Sequence, residues 1–111
     1  MTFTSDELIL ALISLVRDTN PAMLRQEADG FTVDFEAIAA KPAPTADDRL
    51  LLKMRAALDG ASETAPLALA LEAAEAARLA ATLVRLETLQ AWPADVLVMS
   101  RALRARLGSA G

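Results

Sequence analysis

The sequence predicts an all-α fold, a bundle of about four main helices, and three observations predict it. Alanine and leucine, the strongest helix formers, supply most of an apolar content that reaches 54% of 111 residues. Aromatic residues are scarce, with three phenylalanines, one tryptophan and no tyrosine, so a sheet has little to build on. Apolar residues also recur at helical spacing in stretches bracketed by capping and stop signals. A chain of this length reads as a single domain, 1–111, with an N-terminal helical half at 1–40, a proline-rich connector at 41–45 and a helical hairpin region at 46–111.

The first helix is expected over 5–19. Thr4 and Glu7 have the spacing of a capping box, and Phe3 and Leu8 stand where a hydrophobic staple closes over it. From Leu8 through Val16 only Ser14 is polar, which marks a helix buried on several sides or docked against another chain. Asn20-Pro21 ends it and opens a short second helix, because proline is tolerated at the first helical position. Asp29-Gly30 reads as a turn, and Phe31, Val33 and Phe35 alternate like a strand. No second segment offers that strand an evident partner, so short helical or extended segments are expected across 21–40, with a turn or two of helix from Asp34 to Ala40.

Prolines 42 and 44 make 41–45 a stiff connector. Thr45 and Asp48 form a second capping pair, and Leu51, Met54 and Leu58 carry a helix over 46–59 to a stop at Gly60. After a polar joint at Ser62 to Thr64, a long helix is expected over 65–91. A last helix over 93–107 opens on Pro93, with Asp95 near its positive end and Arg101, Arg104 and Arg106 towards its negative end.

The long helix carries the strongest functional signal. Projected at about 100° per residue, Glu75, Arg78, Thr82 and Arg85 gather in one polar stripe, read as the wet face, while alanine, leucine and valine take the remaining circumference. Ala73, Ala77 and Ala81, with Val84, form a small-residue line that permits close approach of another helix, the candidate association face. At about 1.5 Å per residue the helix would be a rod of roughly 40 Å, against a radius of gyration near 13 Å for a compact domain, so pairing of two copies is the simplest way to cover an overhanging end. The alternative is a bundle helix sheathed by its own neighbours.

Composition narrows the chemistry. With neither cysteine nor histidine, the chain lacks thiolate chemistry, disulfides, the usual zinc ligand sets and a side chain that titrates near neutrality. The net charge of −4 disfavours nonspecific attraction to phosphate or anionic lipid. Charge is also segregated: residues 1–75 hold thirteen acids and six bases, residues 76–111 two and five, a pattern able to steer a partner. The longest apolar run, Leu8 to Ile13, is too short to span a bilayer, and the N-terminus lacks an export signal, so no membrane and a cytoplasmic, bacterial-type setting are expected.

Individual motifs are weak. Glu27, Asp29, Gly30 and Glu36 match part of a calcium-loop template, but Arg25 falls where a carboxylate is required, leaving an acidic turn. Glu72 and Glu75 lack the histidine of a carboxylate di-metal bundle, and the serines lack a histidine base. Lys53 reads as a snorkelling surface lysine, Asp47 and Asp48 as first-turn acids, and Trp92 as a plug at a helix junction.

The reading is therefore a non-catalytic helical protein, with no cofactor and no metal, that acts through protein–protein association as an adaptor or self-assembling module, as a homodimer or with another protein partner. A second reading is a bundle that binds an apolar small ligand or lipid in a pocket drawn from Phe3, Met23, Phe31, Phe35, Met54 and Trp92. A third, a DNA-binding regulator using the last helix, runs against the acidity of the chain, and nucleic acid is not an expected partner.

Overall fold

The computed structural model describes residues 1–28, 30–60, 66–89 and 91–109. It is mostly helical, as expected, with two small antiparallel sheets. In chain order the elements are β1 (Thr2–Phe3), α1 (Ser5–Thr19), a 3-10 turn (Pro21–Met23), β2 (Leu24–Glu27), β3 (Gly30–Val33), α2 (Phe35–Ala39), α3 (Ala46–Asp59), β4 (Leu67–Ala68), α4 (Ala73–Leu89) and α5 (Ala94–Ser109).

The central helix is α1. Its capping box is formed, Glu7 N–H donating to Thr4 Oγ1 at 3.1 Å and Thr4 N–H to Glu7 Oε1 at 2.9 Å. Every residue from Leu10 to Val16 is buried, because α3, α4 and α5 all pack against this helix and β2 crosses it. Its neighbours contribute Leu50, Leu51 and Met54 from α3, Leu79, Leu83 and Leu86 from α4, and Leu103 and Leu107 from α5 to one apolar cluster. Fully burying each such leucine is worth about 1.5–3 kcal/mol, which makes this leucine cluster the main source of stability.

A buried polar knot ties α1 to α3. Asn20, at the end of α1, donates its amide to Asp48 Oδ1 at 3.1 Å, and Lys41 Nζ reaches the same oxygen at 3.1 Å while also bonding Asn20 Oδ1. Asp48 completes the second capping box with Thr45 through its other oxygen, Thr45 N–H to Oδ2 2.9 Å. Burial alone would raise the Asp48 pKa, but the Thr45 N–H, the Asn20 amide and the Lys41 ammonium hold it down at about 2.

Three expectations are corrected. The helix expected over 65–91 occupies only Ala73–Leu89, residues 65 and 90 lying outside those described. Ahead of it, Leu67 and Leu69 are buried while Ala68 and Ala70 are exposed, a two-residue alternation, and β4 pairs with β1 in the register Thr2↔Ala68 and Phe3↔Leu67. Pairing with a distant strand has overridden the helix propensity of alanine and leucine there. At about 1.5 Å per residue α4 is roughly 25 Å long, and the molecule measures 36 × 31 × 27 Å, so no rod overhangs.

Second, the alternating segment after position 29 is a strand with a partner: β3 pairs with β2 from Leu24↔Val33 to Glu27↔Gly30. The partner was hidden because Arg25, Gln26 and Glu27 are polar and exposed. The short helix foreseen from Asp34 is present as α2, with Asp34 Oδ1 accepting from Ala37 N–H at 3.1 Å. The last helix, expected over 93–107, spans Ala94–Ser109, with Pro93 just outside it and its carbonyl accepting from Leu97 N–H at 3.2 Å.

Candidate interaction surfaces

The third correction concerns α4, whose orientation is opposite to that expected from its sequence. The polar stripe is not a free wet face: it turns towards α1 and α3, with Thr82 buried, Glu75 and Arg78 partly covered and Arg85 exposed at its rim. Glu75 takes Lys53 of α3 at 3.0 Å; Arg78 holds Asp18 of α1 at 2.7 Å and Asp47 of α3 at 3.2 Å; Arg85 holds the other oxygen of Asp18 at 2.9 Å. Thr82, 1% exposed, meets the buried Ser14 hydroxyl at 3.0 Å. These four side chains thus form a polar seam between α4 and the α1–α3 pair, beside the leucine arc of Leu79, Leu83 and Leu86.

The seam explains the shifts in the carboxylates and cations along it. The Glu72 backbone N–H and then the Lys53 ammonium lower the pKa of Glu75, against the opposing effect of burial, and the Asp47 and Asp18 carboxylates raise that of Arg78. On the far side of α4, Glu87 accepts from Ser100 at 2.7 Å and from Arg104 at 2.6 Å; burial alone would raise its pKa, but these contacts bring it below the ordinary value. Arg106 at the end of α5 reaches Glu7 at 2.6 Å and bonds the Thr2 carbonyl. Burial raises the Glu7 pKa, but the Thr4 N–H and Arg106 outweigh it and the net shift is downwards.

The segregated charge of the sequence is therefore largely used within one chain. Arg78, Arg85 and Arg106 from the basic C-terminal third pair with Asp18, Asp47 and Glu7 from the acidic part. Among the described residues, the six acids that are not exposed, namely Glu7, Asp18, Asp47, Asp48, Glu75 and Glu87, are all held by cations, and Glu7 and Asp48 also serve as cap partners.

What α4 presents outward is its small-residue line. Ala73, Ala74, Ala77, Ala81, Val84 and Thr88 are all exposed, Val84 at 45%. They cover an arc without a charge until Arg85 at its edge. Alongside, α5 packs against α4 and exposes Ala94, Val98, Ala102 and Ala105, Val98 being 65% exposed. The outer side of the α4–α5 hairpin carries a row of small apolar side chains, flanked on α5 by the exposed Asp95 and Arg101, and the four residues of the candidate association line all belong to it.

The residues considered for an apolar pocket are dispersed. Phe3 and Met54 are fully buried in the core. Trp92 is half-buried at the α4–α5 junction, its indole N–H donating to the Leu86 carbonyl at 3.0 Å, as suits a junction plug. Met23 packs against the core from the 3-10 turn. Phe35 lies under the Arg55 guanidinium, 4.9 Å from its ring centre, in a cleft of about 340 Å³ with Arg25, Glu27 and Val33. Phe31 lines a separate shallow pocket of about 210 Å³ with Arg17, Leu24 and Gln26. A third cleft, about 460 Å³, runs between α3 and α4 over the Lys53–Glu75 and Asp47–Arg78 pairs. Among these clefts none gathers two of the six residues.

Among the described residues no cluster of three carboxylates is placed to hold a metal ion, and no helix is long and apolar enough to cross a membrane. Comparison of the chain with protein-family models, with characterised proteins and with solved structures finds no match.

Proposed function

We propose that this protein is a non-catalytic module that works by protein–protein association, with the outer face of the α4–α5 hairpin as its contact surface and a second copy of the chain as its occupant. The observation that carries this reading is the uncharged exposed arc of Ala73, Ala77, Ala81 and Val84, continued on α5 by Val98, Ala102 and Ala105. Small side chains at four-residue spacing let helices approach to about 8 Å, so that a flat face gains dense contact without deep pockets.

Size and charge favour a self-pairing contact. Two adjacent helices about 25 Å long and about 10 Å apart offer roughly 500 Å² per copy, hence about 1,000 Å² in a symmetric pair, the lower end of specific interfaces. The expected association is reversible. Glu72, just ahead of α4 and beside α3, and Arg85, near its far end and beside α1, are both exposed and lie on the edge towards the α1–α3 pair. A copy laid antiparallel brings Glu72 of each opposite Arg85 of the other, which fixes the register. Residue chemistry supports a non-catalytic role: the chain has no histidine or cysteine, and among the described residues every non-exposed carboxylate is already paired, so none of them is set aside as a general base.

Sedimentation equilibrium between about 1 and 300 µM tests the reading. Concentration-dependent association that Ala81→Glu weakens, without loss of helical circular dichroism, supports it. A strictly monomeric mass across that range refutes it.

A further inference from the structure

We infer that the outer edge of β3 is a second pairing surface, shaped to add the β3 strand of another copy of this chain antiparallel to itself. This surface stands apart from the α4–α5 face and does not depend on it.

The register of the hairpin determines which backbone groups are free. Asp34 N–H donates to the Met23 carbonyl at 2.9 Å, continuing the ladder one step beyond Leu24↔Val33. Hydrogen-bonded and non-hydrogen-bonded pairs alternate in an antiparallel ladder, so Arg25↔Thr32 and Glu27↔Gly30 are the bonded pairs that follow. The N–H and C=O groups of Phe31 and Val33, in the intervening pairs, then point away from β2. On the other strand α1 lies against β2, and Leu24 N–H is already taken by the Pro21 carbonyl. The outer edge of β3 carries the open donors and acceptors.

That edge is complementary to itself. With a two-fold axis at Thr32, Phe31 of one copy stands opposite Val33 of the other, and each such pair exchanges both N–H···O=C bonds. Phe31 and Val33 project from the same side of the hairpin, so the pairing also sets an aromatic ring against a β-branched side chain, a favourable cross-strand combination. Phe31 is half-exposed and outside the apolar core cluster, whereas Val33 packs on it. The exposed Thr32 meets its own copy at a non-hydrogen-bonded position, where threonine pairs are also favoured. The strand Gly30–Val33 carries no lysine, proline or charge, the usual means of blunting a free edge. Two different two-fold contacts on one chain build assemblies beyond a dimer, and copies already held at α4–α5 meet at a raised effective concentration.

The chain has no cysteine, so single cysteines report each contact separately. Across the proposed axis the Thr32 Cα atoms would approach to about 4.5 Å, within disulfide reach. In a glutathione redox buffer, Thr32→Cys should form a disulfide-linked dimer at least tenfold faster than Ala46→Cys, an exposed position at the start of α3. Thr32→Lys sets two ammonium groups face to face, and Phe31→Pro removes an N–H that the hairpin does not use. Either should remove the part of the concentration-dependent mass that survives Ala81→Glu, while the far-ultraviolet spectrum is kept. Fast cross-linking at Thr32→Cys together with slow cross-linking at Ala77→Cys, the exposed residue of the association line nearest the α4 two-fold, upholds the β3 edge and counts against the α4–α5 contact, and the converse does the opposite. The inference is overturned if Thr32→Cys cross-links no faster than Ala46→Cys.

Discussion

Helices α1 and α4 are similarly rich in apolar residues and use them in opposite ways. Along α1 the apolar residues are leucine, isoleucine and valine with a single alanine, Ala11, and from Leu10 to Val16 all of them are buried, with Ile9, 42% exposed, as the outlying exception. Along α4 the leucines at 79, 83 and 86 are buried, the alanines at 73, 77 and 81 face solvent, and the charged residues turn towards neighbouring helices. The difference teaches that an apolar surplus made of alanine is not a surplus of hydrophobic driving force. An alanine side chain buries one methyl group, about a quarter of the apolar content of leucine, so its value in α4 lies mainly in helix propensity. Exposing it costs little, and the polar seam becomes the better partner for α1 and α3.

Several substitutions sharpen that contrast. The largest effect belongs to the buried leucines: Leu15→Ala in α1 and Leu79→Ala in α4, both fully buried, should each cost about 2–5 kcal/mol in urea denaturation. Ala77→Ser and Ala81→Ser on the outer arc should change stability by no more than about 0.5 kcal/mol. Equal losses at the two kinds of position would break the comparison.

Next comes the polar knot. Asp48→Ala leaves the Lys41 ammonium and the Asn20 amide without their carboxylate and removes a cap, for a loss of about 3 kcal/mol. The same group gives a pH signature. Its folded pKa of about 2 lies below the unfolded value of 3.8, so its contribution is present above pH 4 and disappears as pH falls towards 2. That contribution amounts to about 2 kcal/mol, and Asp48→Asn should flatten this part of the acid-stability profile.

The smallest of these effects lies in the seam. Asp18→Ala releases both Arg78 and Arg85, which are partly exposed, and should cost about 1 kcal/mol. The loss should shrink in high salt, since the arginines are within reach of screening ions. A double-mutant cycle between Asp18→Ala and Arg78→Ala, followed by thermal unfolding, measures the pair itself.

What could be read in the sequence was local. The capping pairs Thr4–Glu7 and Thr45–Asp48 act within three residues, and both are formed as their spacing implied. The all-round burial of α1 followed from its unbroken apolar run. Pairing between distant segments was not legible: β4 carried only the brief alternation Leu67, Leu69 within an alanine–leucine stretch, and β2 reads as a polar loop. The stripe of Glu75, Arg78, Thr82 and Arg85 was visible as a stripe, but its direction depended on Ser14, Asp18, Asp47 and Lys53, partners located on two other helices. The segregation of charge was likewise legible, and its largely intramolecular use was not.

The orientation of α4 is the claim on which the proposed contact face depends, and thiol accessibility measures it directly. Single-cysteine variants Ala81→Cys and Thr82→Cys, neighbours in sequence, are to be reacted with an aromatic disulfide reagent at low micromolar protein, where self-association is diluted away. The structure predicts that Ala81→Cys reacts at nearly the rate of an unfolded peptide thiol and Thr82→Cys at least a hundredfold more slowly. A fast Thr82→Cys beside a protected Ala81→Cys would reverse the helix and contradict the account.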